Sequence, residues 1–526
     1  MNHTPQQDAV ASAIAQGEDV VVQAGAGTGK STTLAYAARA TVGRRPGTTG
    51  LVLAYNANAA TSLQGKFPPG FTAMTIHALA NRIIRNSACD DQLRIDGAKL
   101  IGRLSQNSAI KPYELPKHLG IFGGTPAVTT GGADVAVTPA GVAAMAKATI
   151  RRFCNSATLQ LVEHHVVVPH GVDRNRSGEL VCKILAAARR IWADQIRADG
   201  VLPFTHDTYL KLFQIWATDT GYVPPVDLVM LDEAQDSNRL TSSLFLGWGD
   251  KRQLVAVGDG AQSMYQWRGA VDSMRELAAR PGTRTLTLSR SFRFGPAIAD
   301  EANEWLMAID NPFLIQGSPN LADSTVGTVD RTQPHTVLCR TNAGVIGEAM
   351  TCSLAGTTIH IVGGGREATS LASGFRDLMN GKRPTHPLLA AFPDYPTLVE
   401  YVGSPLCDEA DLKIMANLVD RYSPGAIMAT LLHCEKRRED AAVVLSTAHK
   451  FKGDESDVVA VGGDYKEPQP DRNGDTVLRD EDGMAAYVAV TRARWLLDPG
   501  SLSYIRRWND DHGIREAWME THSPVV

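Results

Sequence analysis

The stretch Val21-Val22-Gln23-Ala24-Gly25-Ala26-Gly27-Thr28-Gly29-Lys30-Ser31 limits what this chain can fold into more than any other. A short apolar run at residues 18–22 enters a glycine-dense turn, and residues 31–40 read as a helix. Strand, tight turn and helix in that order set backbone N–H groups, unshielded by Cβ atoms, beside the positive end of a helix. This is the Walker A phosphate-loop pattern. Ala24, Gly25, Ala26, Gly27, Thr28 and Gly29 surround phosphate, Lys30 reaches the outer phosphates and Ser31 can ligate Mg²⁺. Ala24 stands where the pattern usually begins with glycine.

A second apolar strand, Leu228-Val229-Met230-Leu231, runs into Asp232-Glu233-Ala234-Gln235-Asp236. Carboxylates at a strand end suit a Walker B site, with Asp232 holding the metal and Glu233 orienting and deprotonating water. The plain alternative is a solvated acidic turn, which the preceding phosphate loop disfavours. Further strands are expected at 51–55, 71–75, 253–257 and 284–288, and a second series at 335–339, 358–362, 443–447 and 458–461, with helices between them. Such alternation predicts parallel α/β sheets covered on both sides. Residues 90–199 read as mostly helical, with a flexible or hairpin-like Gly- and Thr-rich segment at 120–138, and residues 385–439 as a shorter helical interruption.

The 526 residues suffice for several domains at roughly 150 residues each. No run approaches the ~20 apolar residues that cross a bilayer, and Met-Asn-His-Thr-Pro lacks the features of a signal peptide, so a cytoplasmic, nucleoid-associated protein is expected. The net charge of −4 means that any nucleic-acid contact needs a local basic groove. Seven scattered cysteines without a Cys-x-x-Cys pair argue for reduced thiols over a zinc, iron–sulfur or disulfide framework.

With the Asp232-Glu233-Ala234-Gln235-Asp236 box the chain resembles superfamily 1 DNA helicases of the UvrD, Rep and PcrA type. Thr4-Pro5-Gln6-Gln7 is similar to their Q motif, which implies that Gln6 reads adenine. Residues 257–270, Val-Gly-Asp-Gly-Ala-Gln-Ser-Met-Tyr-Gln-Trp-Arg-Gly-Ala, resemble motif III, implying that Gln262 senses the γ-phosphate while Tyr265, Trp267 and Arg268 hold single-stranded DNA. An indole that stacks on any base and a guanidinium that pairs with phosphate suit that role. A core position is the competing reading for Trp267. Ser291-Phe292-Arg293-Phe294 resembles motif IV, placing Phe292 on the adenine face and Arg293 on phosphate, and Tyr487-Val488-Ala489-Val490-Thr491-Arg492 resembles motif VI, making Arg492 a second phosphate arginine. The likeness also places Thr32, Gly453 and Glu455 in the nucleotide site.

For DNA, the resemblance implies contacts from Tyr55 (motif Ia), Thr75 and His77 (motif Ib), Arg340 and Asn342, and His449 (motif V). Structural histidines remain the alternative for His77 and His449. Within the group, Tyr55-Asn56-Ala57, Thr205-His206-Asp207-Thr208-Tyr209-Leu210-Lys211-Leu212, Ser291-Phe292-Arg293-Phe294-Gly295-Pro296 and His449-Lys450-Phe451-Lys452-Gly453 are most similar to the F-box DNA helicase branch. No F-box is expected before the phosphate loop, nor an appended nuclease or zinc domain after residue 501. Motif V departs from the usual Gly-Leu-Glu-Phe as Gly453-Asp454-Glu455-Ser456, and Asn58 stands where relatives often carry lysine.

The resemblance thus implies two RecA-like motor domains, each interrupted by a helical insertion: 1–89 and 200–294 form the first around 90–199, and 295–384 and 440–526 the second around 385–439. It implies an ATP- and Mg²⁺-dependent helicase or translocase moving 3′ to 5′ on single-stranded DNA and at single/double-strand junctions, as a monomer. An ATP-switched single-strand-binding module is the alternative. A phosphate-loop ATPase acting on a small molecule or protein is a third.

Overall fold

Apolar runs of a few residues build two parallel sheets, because a strand covered on both faces needs apolar side chains in both directions. The computed structural model describes residues 3–85, 100, 104, 110, 114–128, 134–168, 172–263, 273–384, 386, 389, 392, 394–403, 410–470 and 476–522. The chain divides into two units, one of Met1–Gln23, Lys30–Asp259 and Tyr265–Leu288, the other of Ala24–Gly29, Gly260–Met264 and Ser289–Val526.

In the first unit the strands are β1 (Val20–Ala24), β2 (Gly50–Ala54), β3 (Phe71–Thr75), β4 (Thr125–Val128), β5 (Asp134–Val137), β6 (Leu228–Leu231), β7 (Gln253–Gly258) and β8 (Arg284–Leu288). Six of them form one sheet in the order β3-β2-β6-β7-β1-β8. Leu231 pairs with Ala256, which pairs with Val21, so Asp232 leaves the sheet level with the approach to the phosphate loop. Val21, Leu53, Val229, Leu231 and Ala256 are buried in one cluster with Phe213, Phe245 and Trp248.

Helix ends follow their capping residues. Thr4 and Gln7 form a reciprocal capping box at Pro5–Gln16, which stops at Gly17 with φ 94°. Thr205 caps His206–Thr220, and Gly221, with φ 64°, ends it. The long insertion has its own core, in which Pro139–Cys154 and Gly178–Gln195 bury Ile150, Phe153, Leu180 and Ile184. The expected hairpin-like segment contains the antiparallel pair β4 and β5, with Thr125 opposite Val137.

A buried lysine fastens this insertion to the sheet-bearing part of the unit. Lys211 donates from Nζ to the carbonyls of Ser156 (2.8 Å) and Thr158 (2.5 Å) and to Gln214 Oε1 (2.8 Å). Burial lowers its pKa to about 8. Beside it, His165 receives the Val162 N–H at Nδ1 (3.1 Å) and meets Thr158 Oγ1 through Nε2 (2.8 Å). Neutral imidazole makes both bonds, and burial lowers its pKa from 6.5 to about 4.

In the second unit β9 (Thr325–Val326), β10 (His335–Cys339), β11 (Ile359–Ile361), β12 (Val443–Thr447), β13 (Ser456–Val461) and β14 (Ala493–Asp498) form a parallel sheet in the order β11-β12-β10-β13-β14-β9. The sequence pattern omitted β9 and β14. The first is two exposed residues, and the second breaks alternation with Arg494 and Trp495. The segment at 385–439 includes helices Tyr395–Gly403 and Ala410–Leu432, the latter kinked at Ser423 (φ 58°) before Pro424. Arg506 and Arg515 pin the last helices to buried Glu304 at 3.2 and 2.7 Å. Among the described residues, no helix is long and apolar enough to cross a membrane.

Candidate nucleotide site and nucleic-acid contacts

In the first unit, helix Lys30–Arg44 begins with the lysine and hydroxyl that follow the phosphate loop. Ser31 Oγ donates to Asp232 Oδ2 at 2.9 Å, and Lys30 Nζ lies 3.8 Å from Glu233 Oε1. Burial, then the neighbouring Glu233 charge, raises the Asp232 pKa, while Lys30 and Ser31 pull it down. Glu233 itself sits at φ 52°, ψ 45°, a left-handed conformation that a glutamate rarely adopts. The next links were not singled out from the sequence. Gln235 donates from Nε2 to Glu233 Oε2 at 2.7 Å and accepts the Asp259 N–H at Oε1, 3.0 Å away. A Cβ on Gly258 would lie 2.3 Å from that Oε1, so only glycine leaves room for it.

In the second unit, the loop Ala24–Gly29 turns through Gly27 (φ 71°) and Gly29 (φ 77°), and Thr28 Oγ1 donates to Gly25 O at 2.9 Å. The Phe292 N–H donates to Gly27 O at 2.8 Å. Arg293 donates from Nε to Glu455 Oε2 (2.8 Å) and from Nη1 to Thr491 O (3.0 Å). Arg492, 1% exposed, donates from Nε to Val488 O at 3.0 Å and from Nη2 to Gln262 Oε1 at 3.3 Å. Lys452 adds a 2.6 Å bond to Gln262 O, another contact that motif matching did not single out. Gly453 is left-handed at φ 95°, and Phe292 is 47% exposed.

At the chain start, Gln7 is buried and donates from Nε2 to Thr33 Oγ1 at 3.1 Å, while Gln6 is half-buried. Thr32 is exposed on the first turn of its helix.

The residues expected to meet DNA fall into three groups. Tyr55 is 41% exposed just past β2; Thr75 Oγ1 accepts the Ala78 N–H (3.0 Å); and His77 lies 3.6 Å from Asp207, all in the first unit. In the second unit Arg340 pairs with Asp482 at 3.0 Å, Asn342 accepts from Lys450 Nζ at 2.8 Å, and His449 is half-buried. Asn342, Thr447, Lys450 and Gly364 line one small pocket. Tyr265, Trp267 and Arg268 lie outside the described residues.

Two parallel α/β sheets, one carrying the phosphate-loop strand β1 and, across β7, the Asp-Glu strand β6, define a RecA-like phosphate-loop protein. The AAA domain family matches residues 6–268, half of the chain, and the chain belongs to that family. It is 29% identical over 507 residues to F-box DNA helicase protein 1 of Schizosaccharomyces pombe, covering 91% of this chain and 55% of that protein. To F-box DNA helicase 1 of Gallus gallus it is 25% identical over 421 residues, covering 70% of this chain and 39% of the relative. The resemblance is thus to an F-box helicase-like motor region, and the chain spans about half or less of the curated relatives it matches.

Proposed function

We propose that the chain is an ATP-dependent DNA helicase or single-strand translocase. The observation that carries this reading is the 2.9 Å bond between Ser31 and Asp232, beside a Glu233 held in a left-handed turn, in a chain similar to proteins named DNA helicases. ATP is the substrate, with its phosphates in the loop of residues 24–29 and on Lys30, and Glu233 takes the proton of the attacking water. The hydroxyl of Ser31 and the carboxylate of Asp232 are hard oxygen donors already in contact, which fits Mg²⁺. Bound there, Mg²⁺ supplies neutralisation of phosphate charge.

Arg293 and Arg492 serve as the phosphate cations, exchanging Glu455 and Gln262 for the γ-phosphate, with Gln262 as sensor. Gln6, Thr32, Phe292, Gly453 and Glu455 complete the nucleotide contacts. DNA runs over Tyr55, Thr75, His77, Tyr265, Trp267 and Arg268 in one motor domain and Arg340, Asn342 and His449 in the other. The six-segment domain partition, 3′ to 5′ travel, binding at single/double-strand junctions, monomeric action and nucleoid location belong to the same proposal.

The decisive experiment is ATP turnover measured against single-strand length, together with strand displacement on opposite overhangs. Lys30→Ala and Glu233→Gln are expected to abolish turnover, the second while sparing ATP binding. Turnover that rises with strand length is expected for a translocase. Length-independent stimulation favours an ATP-switched grip, and no stimulation by DNA overturns the reading.

A further inference from the structure

The apolar cluster of the second unit contains Ala26 of the phosphate loop, packed among Ala261, Phe294, Ile315 and Tyr487. Within it the Ala26 N–H donates to the phenol oxygen of Tyr487 at 3.0 Å, and the tyrosine is 0% exposed. The neighbouring loop residues are held as closely. A Cβ on Gly25 would lie 2.3 Å from Ile315 Cγ2, and one on Gly27 would lie 2.6 Å from both Ser291 Oγ and Arg293 Cβ. These glycines therefore make room for side chains as well as for an anion.

We propose that Tyr487 is a positioning residue for the nucleotide, holding the phosphate loop in its binding shape through the Ala26 amide. This rests on the ATPase reading above. A loop this rich in glycine loses much backbone freedom when it is ordered, so its binding-competent fraction depends on what holds it before phosphate arrives. A buried N–H must find an acceptor, and Tyr487 provides one where phenylalanine could not. The tyrosine also ties the loop to a phosphate arginine. Its own carbonyl accepts the Thr491 N–H (3.1 Å) and Oγ1 (2.8 Å), and Arg492 follows directly. Helix Asp480–Val490 thereby sets loop shape and Arg492 placement together.

The test is Tyr487→Phe, which keeps the ring and deletes only the hydroxyl. Steady-state ATP hydrolysis is expected to show KM raised about tenfold with kcat within about twofold, since a smaller competent fraction weakens apparent affinity without touching the bound state. An unchanged KM, or a fall in kcat alone, overturns the proposal. A merely structural role would lower the melting temperature or the active fraction and leave KM in place. Should the variant not fold, hydrogen–deuterium exchange on the wild-type chain without nucleotide decides the matter. Protection of the Ala26 amide is expected, and exchange at the rate of an open loop overturns the bond. Lys30→Ala run in parallel separates the two readings: if it hydrolyses ATP like wild type, the assignment of the nucleotide to this loop fails, while exchange at Ala26 still tests the Tyr487 bond.

Discussion

The amide of Gln235 donates to the Glu233 carboxylate at 2.7 Å while its carbonyl holds the Asp259 N–H at 3.0 Å. One buried side chain thus fixes the proposed general base and ties the end of β6 to the end of β7. Glu233 already occupies a left-handed backbone, a strain of about 1–3 kcal/mol that the surroundings must hold in place.

Gln235→Ala removes both bonds. Its kcat for ATP is expected to fall by about one to two orders of magnitude with KM little changed, because the base loses orientation while the phosphate contacts remain. Steady-state kinetics over a range of ATP concentrations check this. Parallel losses in KM would place Gln235 in ground-state binding instead.

Gly27→Ala introduces a Cβ 2.6 Å from Ser291 Oγ and Arg293 Cβ at a residue whose φ is 71°. Both the clash and the backbone conformation oppose it, and nucleotide affinity is expected to drop by about tenfold or more. Titration with a fluorescent ATP analogue measures the change.

Arg340 is held by Asp482 at 3.0 Å, so on the proposed DNA path a phosphate would have to compete with a carboxylate for it. Asp482→Asn is expected to tighten single-strand binding about threefold, and Arg340→Ala to weaken it and reduce the salt slope by about one counterion. Fluorescence anisotropy across a salt series reads both. Unchanged affinity in each variant removes Arg340 from the DNA path.

His165 supplies a pH test of the fold. Its folded pKa is lowered from 6.5 to about 4, so between those values the unfolded chain binds a proton that the folded chain does not. Stability therefore falls as pH drops through that window and is unaffected by this group above it. The loss is expected to be about 1–3 kcal/mol, and His165→Asn should flatten it. Urea denaturation at a series of pH values between 7 and 4 makes the comparison, with flattening absent if the imidazole titrates normally.

By itself the sequence determined the elements whose chemistry is local. The glycine-dense turn and the strand ending in Asp232-Glu233 announce themselves, because a few adjacent residues dictate their backbone. The parallel α/β class followed from apolar runs alternating with helices. The two-residue edge strand β9 and the irregular β14 did not show, since pairing partners create them and their own pattern does not.

Tertiary structure alone decided which side chains meet. Nothing near Gln235 in the chain points to Asp259, and nothing near Tyr487 points to Ala26, 461 positions away. The pairings of Arg293 with Glu455, 162 positions away, and of Arg340 with Asp482, 142 positions away, are long-range too. Motifs name the reacting groups because their spacing is fixed by one turn of backbone. The buried hydrogen bonds that orient those groups depend on how distant segments pack, and packing has no local spacing to read.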